Sequence, residues 1–400
     1  MYHSGIGMRS YLLLGIFGLS LIPSANAAEW SLDGRLNQNV SYEDNVNMSK
    51  DNKQGSFVYD LTPILNANYR AQHSEVTASA SYGIQRYTEL SERDRDKQNY
   101  SLSGRYFTER ASYSLSSSYR KEPSRNTADT DSGDFATNAD RSTWSVAPAI
   151  SYRMTPQDSL SVQGSYGENT YSNQDLSDNS NAVFNLSWSR QWTERYSGGL
   201  STGYYRYESE PSLLGVSNSI LSNSYSLNLL NNYIFSEKWK LQVNLGYRYT
   251  ETENRLSIGA AINQGSHGFV GDASLQYTGE AFTASMGVNQ SLQPDGQGQL
   301  NQKAGVNLGF GYRFTERLST ALQFSYLNSE AIGGLSQLLG NQRQNINISP
   351  SVNYRLAADW VLGASYRLRL QDESLGNGMT DSNTIMLTLG YNWQGFSLSR

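Results

Sequence analysis

The feature that most restricts this chain is a two-residue alternation of apolar and polar side chains, renewed in runs of about ten residues along most of its length. In residues 241–249 the odd positions are Leu241, Val243, Leu245, Tyr247 and Tyr249, and the even ones are Gln242, Asn244, Gly246 and Arg248. In 362–370, Leu362, Ala364, Tyr366, Leu368 and Leu370 alternate with Gly363, Ser365, Arg367 and Arg369. The same period runs through 144–154, 182–188, 306–314, 346–356 and 385–393. Successive side chains of a strand point to opposite faces, so each run is a strand with one apolar and one polar face. After residue 28 no apolar stretch approaches the ~20 residues that a spanning helix needs. Strands can cross a bilayer only as a closed barrel, because lipid cannot satisfy an open edge. A soluble sandwich also alternates, but its outer face is rich in Lys and Glu. Here the polar face is mostly Ser, Asn, Gln, Gly and Arg, which suits a wet lumen inside an apolar wall.

Short connections divide the runs into hairpins: 69–75, 107–110, 154–158, 192–195, 235–238, 277–280, 314–317 and 356–359. Most place an aromatic before a small polar turn that carries an acid. They recur roughly every 40 residues, so each unit is two strands and one longer loop. Eight turns join sixteen strands. An opening strand near 32–42 and a closing strand near 383–393 make eighteen, with sixteen as the alternative. The longer connections are 43–56, 89–99, 121–141, 168–181, 208–223, 250–271, 290–303, 328–344 and 372–382, rich in Asn, Asp, Ser and Gly. Short turns belong on the periplasmic side and long loops outside. The chain ends Phe396-Ser-Leu-Ser-Arg400 rather than on an aromatic. Three readings stay open: Trp393 closes the last strand and a tail follows, Gln394-Gly395 is a bulge within a longer strand, or 393–395 is a ninth turn.

The N-terminus sets the compartment. Arg9, an apolar run over 12–22, Pro23 and the small residues Ala25 and Ala27 make a secretory signal peptide over 1–27. A single barrel domain is then expected over 28–400, in the outer membrane of a Gram-negative cell. Without Arg9, 30 basic residues face 36 acidic ones, a net charge of about −6 that gives no support for a nucleic-acid partner. The absence of Cys excludes a disulfide scaffold and thiolate metal sites. The 28 Tyr argue against disorder.

Catalytic chemistry has little to work with, and neither an enzyme nor a cofactor or metal is expected. The mature chain has two histidines. His73 falls in a periplasmic turn and His267 in an outer loop, where Glu253 and Asp272 are the nearby acids. Asp129, Asp131 and Asp134 could suggest calcium, but they lack the Gly and Glu positions of a calcium loop, so a solvated acidic loop is preferred.

The arginines are more informative. By parity Arg35, Arg70, Arg105, Arg153, Arg248, Arg313, Arg355, Arg367 and Arg369 share the polar face. Facing lipid at midplane each would cost ~2–4 kcal/mol, so they are assigned to the lumen, several of them in a ring just before the periplasmic turns. Such a lining would attract carboxylated or sulfated solutes, or simply supply the charge that a wet barrel needs. Three outer apolar clusters are candidates for an inward constriction or for packing at the rim: Leu213-Leu214 with Ile220-Leu221, residues 256–262, and residues 335–339.

Tyr42, Asp44, Asn45 and Val46 form a Tyr-x-Asp-Asn-Val segment at the end of the first strand, and Leu61-Thr-Pro-Ile64 follows on the second. These stretches, with the hairpin repeat, resemble outer-membrane barrels encoded beside exopolysaccharide and exosortase (PEP-CTERM) gene clusters. The resemblance implies export or anchoring of an exopolysaccharide, with periplasmic export or assembly proteins as partners besides outer-membrane lipid and lipopolysaccharide. A general or anion-preferring porin is the alternative function. A surface adhesin or rim-site enzyme on a sealed barrel is a third.

Overall fold

A computed structural model describes residues 28–213, 216–256, 261–332, 342–373 and 378–399. The signal-peptide assignment and the 335–339 cluster lie outside these residues. The strands are β1 (Glu29–Glu43), β2 (Ser56–Arg70), β3 (Ser74–Tyr87), β4 (Arg95–Phe107), β5 (Ala111–Pro123), β6 (Asp140–Arg153), β7 (Asp158–Tyr171), β8 (Asn179–Gln191), β9 (Tyr196–Ser209), β10 (Ser212–Leu213), β11 (Val216–Ile234), β12 (Trp239–Leu256), β13 (Ala261–Thr278), β14 (Phe282–Pro294), β15 (Leu300–Arg313), β16 (Leu318–Ala331), β17 (Gln342–Arg355), β18 (Trp360–Glu373) and β19 (Thr380–Ser399). β10 is a two-residue piece folded back on β11. The other eighteen pair antiparallel with their neighbours in sequence, and β1 closes the ring on β19. The expected eighteen-stranded barrel is what the chain forms.

All eight short turns sit where the sequence places them. Five of them share one local chemistry. Thr155, Thr193 and Thr315 each accept from the backbone N–H three residues on, at 2.9, 3.0 and 2.9 Å. A hydroxyl at the first turn position thus replaces one missing backbone bond and fixes where the hairpin reverses.

The outer ends differ from expectation. β11, β12 and β13 run well into the stretches read as loops at 208–223 and 250–271, making a tall wall there. At the C-terminus the bulge reading holds. Leu32 faces Phe396 and Gly34 faces Trp393, so β19 carries an extra residue at 394–395. Gly395 has φ +63°, and a Cβ on it would overlap the carbonyl oxygen of Leu32. The extra residue resets parity, so Phe396 and Leu398 stay on the same exposed outer face as Ile385 and Leu387.

The outer surface is a belt. Exposed Leu65, Leu102, Leu115, Ile150, Leu200, Leu229, Leu245 and Leu387 form its middle. Aromatic pairs bound it near the turns, including Trp30–Tyr69, Tyr106–Tyr113, Trp239–Tyr277 and Trp360–Tyr391. Tyr42–Phe57, Trp144–Tyr166, Tyr204–Tyr225 and Tyr247–Phe269 bound it toward the loops. On β12 the outward residues run from Trp239 to Tyr249 before Glu251 ends the apolar run. At ~3.3 Å per residue and a tilt near 40°, that is roughly 25 Å, the apolar height of an outer-membrane barrel.

Candidate pore and constriction

The interior is crossed by the loop between β5 and β6. A short 3-10 turn, Ser124–Asn126, turns the chain inward. Ala128, Asp131, Ser132 and Phe135 are buried. Its anchors come from both sides of the barrel. On its own side, Arg93 Nη2 donates to the carbonyl of Ala136 at 2.7 Å, Tyr171 Oη donates to Asp131 at 2.6 Å, and Arg141 Nε lies 3.7 Å from Asp131. From β15, β17 and β18, nearly half-way round the ring, Lys303 Nζ donates to the carbonyl of Thr130 and Arg343 Nη2 to that of Asp131. Asn345 Nδ2 reaches the carbonyl of Asp129 at 2.7 Å and Gln371 Nε2 that of Gly133 at 2.9 Å. Strand side chains therefore satisfy loop carbonyls that would otherwise be buried without partners.

Charge pairs lock the ends of this span. Arg125 Nη2 meets Glu43 at 3.0 Å and the carbonyl of Val46 at 2.7 Å, while its Nη1 donates to Tyr87 Oη. Arg369 lies 3.2 Å from Asp129, 3.6 Å from Glu43 and 4.7 Å above the ring of Phe135. Gly133, at φ +76°, leaves room for Arg343; a Cβ would stand 2.2 Å from its guanidinium. The turn at 295–299 joins the cluster. Asp295 accepts from the N–H groups of Gln297 and Gln299 and from Asn301, and the amide of Ser177 donates to the carbonyl of Gly296.

This corrects the reading of 121–141 as a solvated acidic loop. It is the inward loop: Asp129 and Asp131 meet Arg369 and Arg141, and Asp134 accepts from the N–H groups of Ala136 and Thr137. Among the described residues no group of acids or histidines is placed to hold a metal ion. Of the apolar clusters proposed for inward folding, the described members are in the wall: Ile220 and Leu221 are on β11, and Ile262, on β13, is exposed.

The nine arginines all fall on the face opposite the apolar belt, but at three levels. Arg70, Arg105, Arg153, Arg313 and Arg355 are exposed at or near the turn-side ends of β2, β4, β6, β15 and β17. Arg35 and Arg367 are exposed farther from the strand ends. Arg248 and Arg369 are buried, so these two are corrected from free lining to structural contacts. Of the seven exposed ones, only Arg70 has a carboxylate within 4.0 Å among the described residues, Glu75 at 3.2 Å. Lys303 and Arg343 share faces with Arg313 and Arg355 by parity, but fall in the stretches 290–303 and 328–344 expected as loops. Arg93 and Arg125 lie outside the strands and have no such signal.

The candidate catalytic set does not assemble. His267 is on β13 rather than in a loop, opposite Tyr249 and packed 4.7 Å from its ring. It shares the outward parity of Phe269, whereas Asp272 has the opposite parity. The Tyr-x-Asp-Asn-Val segment is structural here. Asn45 donates to the carbonyl of Asp381 at 2.8 Å, Asp44 accepts from Asn383, and Val46 packs with Val58, Tyr87 and Leu90.

Known proteins were compared with this chain. The family described as "Putative MetA-pathway of phenol degradation" matches residues 126–264, less than half of the chain, from the inward loop to β13. No curated protein matches. Among solved structures, OpdK of Pseudomonas aeruginosa with vanillate has 11% identity and a TM-score of 0.49, covering 93% of this chain and 99% of its own. OccAB3 of Acinetobacter baumannii has 10% identity and a TM-score of 0.48, with 92% and 99% covered. The ferric citrate transporter FecA has 9% identity and a TM-score of 0.49, with 90% and 79% covered. The belt, its two girdles and the closed ring decide the location. The chain is an integral outer-membrane β-barrel.

Proposed function

We propose that this barrel is a passive channel for small solutes, with a preference for anions. The carrying observation is the inward loop at 124–139, held to the far wall by Lys303, Arg343, Asn345, Arg369 and Gln371. A loop fixed across a lumen suits selection among small molecules better than passage of a polymer. The six exposed arginines without a paired carboxylate bias the remaining path toward negative charge. The matched family's description names phenol degradation and the OpdK structure holds vanillate. Small aromatic acids are therefore the first solutes to test. No step in this reading makes or breaks a covalent bond.

A salt-gradient reversal potential across a planar bilayer tests the proposal. It is expected to show anion preference in the intact chain and a shift toward zero selectivity in the Arg35→Ala/Arg367→Ala variant. Cation preference, or identical potentials in the two, would contradict it. The resemblance at Tyr42, Asp44, Asn45 and Val46 supports a second reading, export of an exopolysaccharide delivered by periplasmic partners. That route requires the inward loop to withdraw. Unchanged matrix secretion after deletion of the gene would remove it.

A further inference from the structure

One joint in the wall is incomplete. β13 and β14 pair from Thr278 opposite Thr283 to Gly271 opposite Gln290, and no farther. Yet β13 continues to Ala261 on β12, and β14 continues to Pro294 on β15. Above Gly271 the two sheets overlap instead of meeting. Arg248, whose parity is inward, donates from Nη2 to Gln302 at 2.7 Å, and Gln302 shares the outward parity of Phe310 and Tyr312. The guanidinium passes beside Gly268, where a Cβ would stand 3.0 Å from it. Gln290 Nε2 donates to the carbonyl of Phe269 at 3.0 Å. Two side-chain contacts thus stand in for the missing rungs, a weaker closure than a continuous ladder.

The chemistry outside the joint differs from that within it. Outside, Phe269 is 72% exposed, above the exposed Met286 and Val288 on the neighbouring strand. Within the joint itself, Arg248 is 2% exposed, has no carboxylate within 4.0 Å among the described residues, and leaves its Nε without a partner. We propose that this joint is a lateral portal, through which an amphipathic carboxylate passes between the lumen and the outer leaflet. Phe269 and its neighbours receive the apolar body, and Arg248 exchanges Gln302 for the carboxylate. The route is separate from the axial path and does not depend on that path's selectivity.

A disulfide can zip the joint. Val270 and Ser291 would form the next rung above Gly271 and Gln290. Because the carbonyl of Phe269 points at β14, that rung is a non-hydrogen-bonded pair, whose close side chains suit a disulfide. The Val270→Cys/Ser291→Cys variant of the full chain would be compared with Ser274→Cys/Gly287→Cys, a rung already formed. Readouts are radiolabelled octanoate uptake by whole cells and potassium chloride conductance in planar bilayers. Oxidation of the upper pair is expected to cut octanoate uptake by about fivefold or more, reversibly, with conductance unchanged and the lower pair without effect. Unchanged uptake with the disulfide formed, or equal loss of uptake and conductance, would overturn the portal. If the upper pair does not assemble or oxidise, Arg248→Met decides. Uptake about twofold or more lower at unchanged conductance supports the portal, because the carboxylate loses its partner, and unchanged uptake, or equal loss of uptake and conductance, overturns it.

Discussion

Arg125 shows how a single side chain can position a whole loop. Its guanidinium is buried between Glu43, the carbonyl of Val46 and Tyr87. Truncating one partner of a buried pair leaves the other charge uncompensated, at a cost of ~3–5 kcal/mol. Arg125→Ala is expected to release the 124–139 loop to added protease while the barrel keeps its folded, heat-modifiable mobility on gels. A loop still resistant to cleavage would contradict that role. Asp295 gives a pH dependence at the same scale. Burial pushes its carboxyl up from the usual range, with Gln299 and the charges of Lys303 and Arg343 opposing. A carboxyl whose pKa is raised in the docked state holds its proton better there, so docking of the 295–299 turn strengthens as pH falls toward that raised range. Docking weakens as pH rises through it. Hydrogen-exchange protection at Gln297 and Gln299 should follow this direction, and Asp295→Asn should flatten it. None of these partnerships was legible in the sequence. Asp129, Asp131 and Asp134 look solvated locally, because Arg343 and Arg369 meet this loop from more than 200 residues away.

At the scale of the element, the sequence was far more informative, since period and turn chemistry are local. Every hairpin turn sits where the repeat places it, and in five of them a Thr or Ser hydroxyl accepts from the backbone N–H three residues on. Strand tops were not legible, because the belt's alternation ends at the upper girdle. Beyond Tyr249, the outward residues Glu251, Glu253 and Arg255 carry no apolar signal although β12 continues. The bulge at Gln394-Gly395 was one of three open readings, and register with β1 selects it. Its glycine has a positive φ and no space for a Cβ, and a β-carbon in that conformation costs ~1–2 kcal/mol before any clash. Gly395→Ala is expected to lower the yield of assembled barrel severalfold, because a last strand that keeps residue 395 but loses the bulge turns Phe396 and Leu398 toward the lumen. Deletion of residue 395 instead leaves a regular ladder with Phe396 still opposite Leu32 and is expected to be tolerated. A wild-type yield from Gly395→Ala, or a deletion that assembles as poorly as the substitution, measured by heat-modifiable mobility, would show that the bulge does not set the parity of the last strand.

At the scale of the molecule, closure and alternation together place hydrocarbon outside and water inside, and in the proposed channel the inward loop sets what that space passes. The sequence supplied the wall and the side of the wall on which the arginines lie. It did not supply their levels, nor the crossing of the lumen, because both depend on how distant strands face one another. The most direct test replaces residues 127–137 with a short glycine-serine linker and compares single-channel conductance with that of the intact chain. If this loop narrows a continuous aqueous path, the intact protein shows small, discrete conductance steps, and the replacement raises them severalfold. Equal conductance in the two proteins, or silence in both, would contradict the account.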